Sequence, residues 1–501
     1  MPHSATRARS SSPLKNFARA LSTCARRGSV RTVAAALVAF TGVASAGAQD
    51  APTTPPAPAA ETAPATAPAP ATAPAPVRVE SVLVRGARVI VRPGHELENA
   101  AVLIQGGRIV AVGTGIEAPE GARVLEGEVV MAGIIDPWGA VGLDLASISD
   151  RTATASARAI DALDPYSQDH IREAALGAGI TAVRIGIGRD GRIGGLSALV
   201  RNSPRFDRET SIVLEDASVS AAIGPQPGTD VFARLDEVDR LIAELEKGKR
   251  QLDAVVEYDK KLAEWQKAIA EKAAESEKEF KKVQRAREKE MADAKEAKKE
   301  FKEKAYKEDA KPKAPRYDAD AKQLARVVTG ELPLFVEVDR VQDLRALLQK
   351  TKVYPRLRLV LAGVADGRFV AEELAERRIP VIVVPARSDR GGAFDQDGFA
   401  LAADLADKGV TVLFGSGGID PDASSNLPLL AAMAVGRGLE RKTALEALTT
   451  LPARILDVGH RLGSLERGKD ADVLILSGDP LATTTRVRAV LLAGEVAFEG
   501  R

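Results

Sequence analysis

The sequence predicts an α/β chain: a (β/α)8 TIM-like barrel flanked by a split, small β-sandwich, with a long charged helical arm inserted. Three observations predict it. Between Gly133 and Asp457, near-continuous Val/Ile/Leu runs alternate with helical stretches, the pattern of parallel strands buried on both faces. On either side lie shorter, alternating strand-like runs broken by glycine. Within the repeating part, residues 271–310 hold 13 Lys/Arg and 12 Asp/Glu and no Gly or Pro, the composition of an exposed helix laced by i,i+4 ion pairs.

Taken in order, residues 1–48 read as a secretory signal peptide. Seven cations and no acid precede the apolar run Val33–Val43, and small residues follow it. Cleavage near Ala46 or Ala48, by the general or the twin-arginine route, would remove Cys24 and leave a mature net charge of −6 against +1 for the whole chain. The expected location is outside the cytoplasm, in a periplasm. Residues 49–77 are an Ala/Pro/Thr spacer that cannot bury a core and favours extended polyproline II. Residues 78–130 form the first part of the sandwich, 131–460 the barrel, and 461–501 the second part. The insertion, 231–325, reads as two helical stretches, 231–262 and 271–310, that pack as a hairpin and offer a surface to a protein partner or a second copy.

Composition narrows the chemistry. The chain has 501 residues with 1 cysteine and 4 histidines, so a disulfide framework and any Cys-based metal site are excluded. Balanced charge gives no reason to expect nucleic acid, and the mature chain has no apolar run long enough to span a membrane. Gly186, Gly188 and Gly191 satisfy a GxGxxG pattern, but no helix follows at once. Phe414–Gly418 is not a nucleophile elbow, and no histidine stands ready to activate Ser416.

The segments VMAGIID (130–136), AIDALDPYS (159–167), IGG (193–195), GPQPGTD (224–230) and GELPLFVEVDR (330–340) have a recognisable counterpart. So do LPLLAAMAVGRGL (427–439), ALEALTTLPARILDV (444–458) and LGSLERGKDADVLILSGDPL (462–481). Together they resemble the amidohydrolase superfamily, in particular its imidazolonepropionase-like branch, over about residues 78–500 without the charged arm. The resemblance implies hydrolysis of C–N bonds by one or two divalent metals, held at the C-terminal ends of the barrel strands by His and Asp. Such a metal activates a bound water.

Carried over position by position, that ligand set is absent. The first-strand His pair falls on Trp138 and Ala140, the fifth-strand position on Glu337 or Asp339, the sixth on Gly363, and the eighth-strand Asp on Gly417. His3 lies in the signal, and His95, His170 and His460 stand outside the ligand positions. The metal-ligand motifs are therefore degenerate. Two readings remain open. In the first, the protein has lost metal-dependent hydrolysis, needs no cofactor, and binds a small molecule or a protein; pocket candidates are Asp136, Trp138, Glu215, Asp366 and Ser416. In the second, a carboxylate-rich site works as a hydrolase. It draws on Asp136, Asp144, Glu215, Asp216, Glu337, Asp339 and Asp366, with Glu337 and Asp339 as the catalytic candidates. An all-oxygen set of that kind suits Mg²⁺, Ca²⁺ or Mn²⁺.

Overall fold

The computed structural model describes residues 81–164, 169–188, 193–203, 211–224, 230–293, 310–384 and 398–500. The signal peptide, the spacer, His3, Cys24 and residues 294–309 of the charged stretch lie outside them. The strands are β1 (Ser81–Arg92), β2 (His95–Gln105), β3 (Arg108–Thr114), β4 (Arg123–Ala132), β5 (Ile134–Gly139), β6 (Ile180–Ile185), β7 (Ile193–Arg201) and β8 (Ile212–Ala222). They continue with β9 (Leu334–Val338), β10 (Leu359–Gly363), β11 (Val381–Val383), β12 (Val412–Phe414), β13 (Val473–Leu476), β14 (Val487–Leu492) and β15 (Glu495–Glu499).

The two ends of the described chain meet in one seven-stranded sheet, ordered β15-β14-β13-β4-β1-β2-β3. β13 pairs antiparallel with β4, so Val473 lies opposite Ala132. From β4 the chain passes through Gly133 straight into β5. A Cβ at Gly133 would stand 2.0 Å from Thr181 Oγ1, so only glycine lets the first barrel strand start this close to the second.

The second sheet has eight strands in sequence order, β5 to β12, and nearly closes into a barrel. Its pattern departs from a pure (β/α)8 repeat. β7 runs antiparallel to both β6 and β8, whereas β5–β6 and β8 through β12 pair in parallel. Side chains alternate across the strands as the pleat requires. Ile135, Ala182, Leu199, Phe335, Val360, Ala362, Ile382 and Leu413 form one apolar cluster with Trp138. Their strand neighbours Ile134, Val183, Val336, Leu361, Val381 and Val412 join the larger cluster, which includes residues of the surrounding helices.

Residues 231–293 form one continuous 63-residue helix. At 1.5 Å per residue that is roughly 95 Å. The stretches 231–262 and 271–293 are therefore one helix, not the two arms of a hairpin. Ion pairs such as Glu257–Lys261 and Glu277–Lys281 line it at i,i+4 spacing. Its base is docked. Val238, Leu241 and Leu245 are almost wholly buried, Arg234 bridges to Asp343 at 2.7 Å, and the Tyr354 hydroxyl donates to Glu246 at 2.6 Å. Each such apolar side chain contributes about 1.5–3 kcal/mol by leaving water. A Cβ on Gly248 would stand 2.4 Å from the backbone of Leu324, so glycine allows close contact with the helix Ala319–Val328. Among the described residues, no helix is long and apolar enough to cross a membrane.

Candidate functional site

The C-terminal ends of β5 and β6 carry a packed cationic cluster. Trp138 is the last residue but one of β5, Arg184 the last but one of β6, and Phe335 lies on β9. The Trp138 and Phe335 rings stack with centroids 6.1 Å apart and planes 10° from parallel. The Arg184 guanidinium carbon stands 4.0 Å from the Phe335 centroid and 5.0 Å from the Trp138 centroid, a cation–π arrangement with both. Its Nε donates to Ser218 Oγ, and one Nη donates to Ser197 Oγ and Ser220 Oγ, all at 2.7 Å. One side chain from β6 thus engages β5, β7, β8 and β9.

Arg184 is 2% exposed. Burial drives its pKa down to about 9, although the Asp136 charge opposes the shift. It was not among the residues singled out from the sequence. The signal was present: a lone cation inside ITAVRI, a strand buried along its whole length.

Asp136 is fully buried on β5. Its Oδ1 accepts from the backbone N–H groups of Trp138 (3.0 Å) and Ser416 (3.3 Å). Its Oδ2 accepts from the hydroxyls of Ser416 (2.5 Å) and Ser424 (2.7 Å). The Gly417 N–H also donates to the Trp138 carbonyl at 3.0 Å. These bonds close the seam between β5 and the residues after β12, which no regular ladder joins. Burial pushes the Asp136 pKa up, and the donated hydrogen bonds pull against it.

The remaining candidates scatter. Glu337 lies on β9 two residues after Phe335, on the same interior face, and is 2% exposed. Asp339 accepts from the Ala365 N–H at 3.4 Å and packs against Gly363. A Cβ at Gly363 would stand 2.3 Å from the Asp339 carboxylate, and its φ of +85° also favours glycine. Asp366 accepts from the Val341 N–H at 3.0 Å, where the helix Val341–Thr351 begins. Glu215 is exposed and pairs with Arg158, and Asp216 pairs with Arg326 at 2.8 Å. Asp144 caps the one-turn helix Leu145–Ile148. His95, His170 and His460 are all exposed, and Ala140 is buried.

So Asp136, Trp138 and Ser416 come together, while Glu215, Asp144 and Asp366 serve turns and surface pairs elsewhere. Among the described residues, no group of three or more His, Cys, Asp or Glu is placed to hold a metal ion. Of the positions that the resemblance gives to ligands, only Glu337 or Asp339 carries a carboxylate, and the set does not fit one. Trp138 fills the space, Ala140, Gly363 and Gly417 offer no side-chain donor, and a guanidinium sits alongside. Beside Trp138 and Arg184 remains a cavity of about 20 Å³, room for about one water-sized atom.

A second buried cluster lies at the other end of the strands. Arg201 on β7 meets Asp472 at 3.1 Å and also pairs with Asp470. Arg461 reaches Asp470 at 2.8 Å and the Val213 carbonyl at 2.9 Å. Asp472 Oδ1 accepts from the Ala493 N–H at 2.8 Å. The cluster ties the barrel to the seven-stranded sheet, and it lies in the GKDAD stretch (468–472) of the closing signature.

Residues 370–498 match the model of the amidohydrolase family. An amidohydrolase, tasK, of Hapsidospora irregularis is 34% identical over 95 residues, 19% of this chain and 10% of that protein. An adenine deaminase of Rubrobacter xylanophilus is 39% identical over 67 residues, 13% of this chain and 11% of that protein. The chain thus spans about a tenth of the length of either curated relative. An amidohydrolase structure from Thermotoga maritima superposes with a TM-score of 0.63 at 22% identity, covering 84% of this chain and all of that one. The resemblance to the amidohydrolase superfamily therefore holds in sequence at the C-terminal part and in fold over most of the chain.

Proposed function

We propose that this chain, amidohydrolase in fold, is an exported protein that has given up metal-dependent hydrolysis and acts by binding a protein partner through the long helix and its surroundings, residues 231–325. The observation that carries the reading is the packing at the ligand end of the barrel. A Trp–Arg–Phe stack stands where imidazoles would converge, and the space left beside it suits one small atom, not an amide substrate. A substrate would have to displace a buried guanidinium held by three serines. The helix supplies the alternative surface, because beyond its docked base it projects a long, charged, exposed face.

Hydrolysis by a carboxylate-rich site is the rival. It needs acids that converge, and Glu215, Asp144 and Asp366 are committed elsewhere. The deciding experiment is metal analysis of the purified mature protein together with a screen of cyclic amides, dipeptides and aminopurines. The expected result is substoichiometric metal and no turnover above buffer, with or without added Zn²⁺, Mn²⁺ or Mg²⁺. Stoichiometric metal required for turnover overturns the reading.

A further inference from the structure

A concave pocket of about 530 Å³ opens where the β1–β2 hairpin, the helices Arg441–Leu448 and Thr450–Ile455, and the loop 459–469 meet. That volume lies within the range of small-molecule sites. The walls carry four cations, Arg92, Lys442, Arg454 and Lys469, with His95 beside them. Two acids, Glu446 and Glu466, line the same space. Backbone contacts hold these walls together. The Leu465 N–H donates to the Val91 carbonyl at 2.8 Å, which pins the loop to β1. Gly94 has a φ of +81°, and a Cβ there would stand 3.1 Å from Lys442 Cε. The lysine stem therefore lies against the turn between Arg92 and His95.

The charges around the pocket do not cancel. Glu466 is shared by Arg92 at 3.4 Å and Lys469 at 3.0 Å. The Ser464 hydroxyl, Lys469 and Arg92 hold its pKa below the usual glutamate range, so it is ionised near neutral pH. Glu446 stands 3.9 Å from Lys442. Arg454 is exposed, and its guanidinium has no hydrogen bond or ion pair among the described residues. With both glutamates charged, two positive charges remain in excess, drawn from a hairpin, two helices and a loop. Like charges gathered around one concavity repel until an anion enters. The guanidinium fork of Arg454 matches two oxygens of one phosphate or carboxylate, and the lysines supply point charges.

We propose that this pocket binds a small anion with two or more negative charges, a phosphate ester or a polycarboxylate. Among the described residues that line it, none belongs to 231–325 or to the Trp138–Arg184 cluster, so its failure leaves the reading above standing. The test is isothermal titration of the full mature chain with inorganic phosphate, glycerol 3-phosphate and citrate, sodium chloride keeping the ionic strength constant. The expected result is saturable binding of at least one of the three, weakened roughly tenfold by Arg454→Gln, the worth of one charge-assisted hydrogen bond. Because Arg454 bonds no described side chain, that substitution removes no internal contact and leaves the unfolding midpoint without ligand unchanged. Lys408→Gln, at an exposed cation outside the pocket, leaves the affinity unchanged. Tighter binding of phosphate and its ester than of citrate assigns the ligand to phosphate chemistry, and the reverse order to carboxylate chemistry; either upholds the site. No saturable binding of any of the three overturns the proposal. So does an affinity that Arg454→Gln leaves unchanged, or one that Arg454→Gln and Lys408→Gln weaken equally.

Discussion

Arg184 and Arg201 lie on adjacent antiparallel strands and point into the same barrel, Arg184 opposite Leu199 and Arg201 opposite Ala182. Both are nearly excluded from water, at 2% and 8% exposure. Their surroundings diverge. Arg184 gives its hydrogen bonds to three serines and stands against two aromatic rings, and burial drives its pKa down to about 9. Around Arg201, burial also works against the charge, but Asp472 and Asp470 outweigh it and leave the pKa raised. The first is a cation without a bonded counter-charge at the C-terminal end of β6. The second belongs to an ion cluster that joins barrel to sheet. A buried charge alone therefore does not mark a functional site; the kind of partner it keeps does.

The largest expected effect is at the joint. Arg201→Met leaves Asp472 buried with no guanidinium beside it, and Asp470 retains only Arg461 and Arg108. Removing one member of a buried pair typically costs about 3–5 kcal/mol, so denaturant unfolding should show a loss of that size. A loss under about 1 kcal/mol would mean that water reaches the cluster and that it holds the sheet weakly.

A smaller loss is expected at the seam. Asp136→Asn keeps the shape but offers one acceptor oxygen where four donors now share two. The cost is about 1–3 kcal/mol, that of stranding buried donors. Hydrogen exchange should locate the opening at residues 134–139 and 412–418. Global loosening without local exchange would show that Asp136 does not close the seam.

The sequence made the frame and the joint more legible than the barrel mouth. Strand runs such as LPLFVEV and RLVLAGV show their burial as unbroken apolar residues, and the acids that hold Arg201 lie within the closing signature. β7 carries a weak strand signal, because IGGLSALVR opens on glycines just after the GxGxxG pattern. Its antiparallel direction is a long-range pairing that no local pattern encodes. The positions that the resemblance gives to ligands name the residues standing there but not what packs around them. Trp138 was visible as a space-filler. Its stacking partner sits on a strand 197 residues later, and the serines that hold Arg184 look like ordinary strand residues. The acids failed as site candidates for a related reason: Asp144, Glu215 and Asp366 are equally good helix caps and surface partners, and only topology says which role each takes.

The smallest change carries the clearest signature. Arg184→Met replaces the guanidinium by an apolar chain; the hydroxyls of Ser197 and Ser220, already hydrogen-bonded at 2.8 Å, keep each other as partners. The cost near neutral pH is about 1–2 kcal/mol, from the lost cation–π contacts and hydrogen bonds less the relieved desolvation. The pH dependence distinguishes Arg184 from Arg201. The folded-state pKa of Arg184, about 9, lies well below the ordinary arginine value that the unfolded chain keeps. Below about pH 9 both folded and unfolded chains carry the charge, and the full burial cost stands. Between those two values the folded chain sheds a proton that the unfolded chain keeps. Wild-type stability then rises relative to Arg184→Met, by up to about 1.4 kcal/mol per pH unit. Unfolding both proteins at about pH 8 and about pH 10 should show the gap widen in favour of wild type. The gap between wild type and Arg201→Met should not widen, because the Arg201 pKa is raised, not lowered. If the two gaps move together, the Arg184 guanidinium keeps its proton through solvent or an unseen counter-charge, and the contrast between the two arginines disappears.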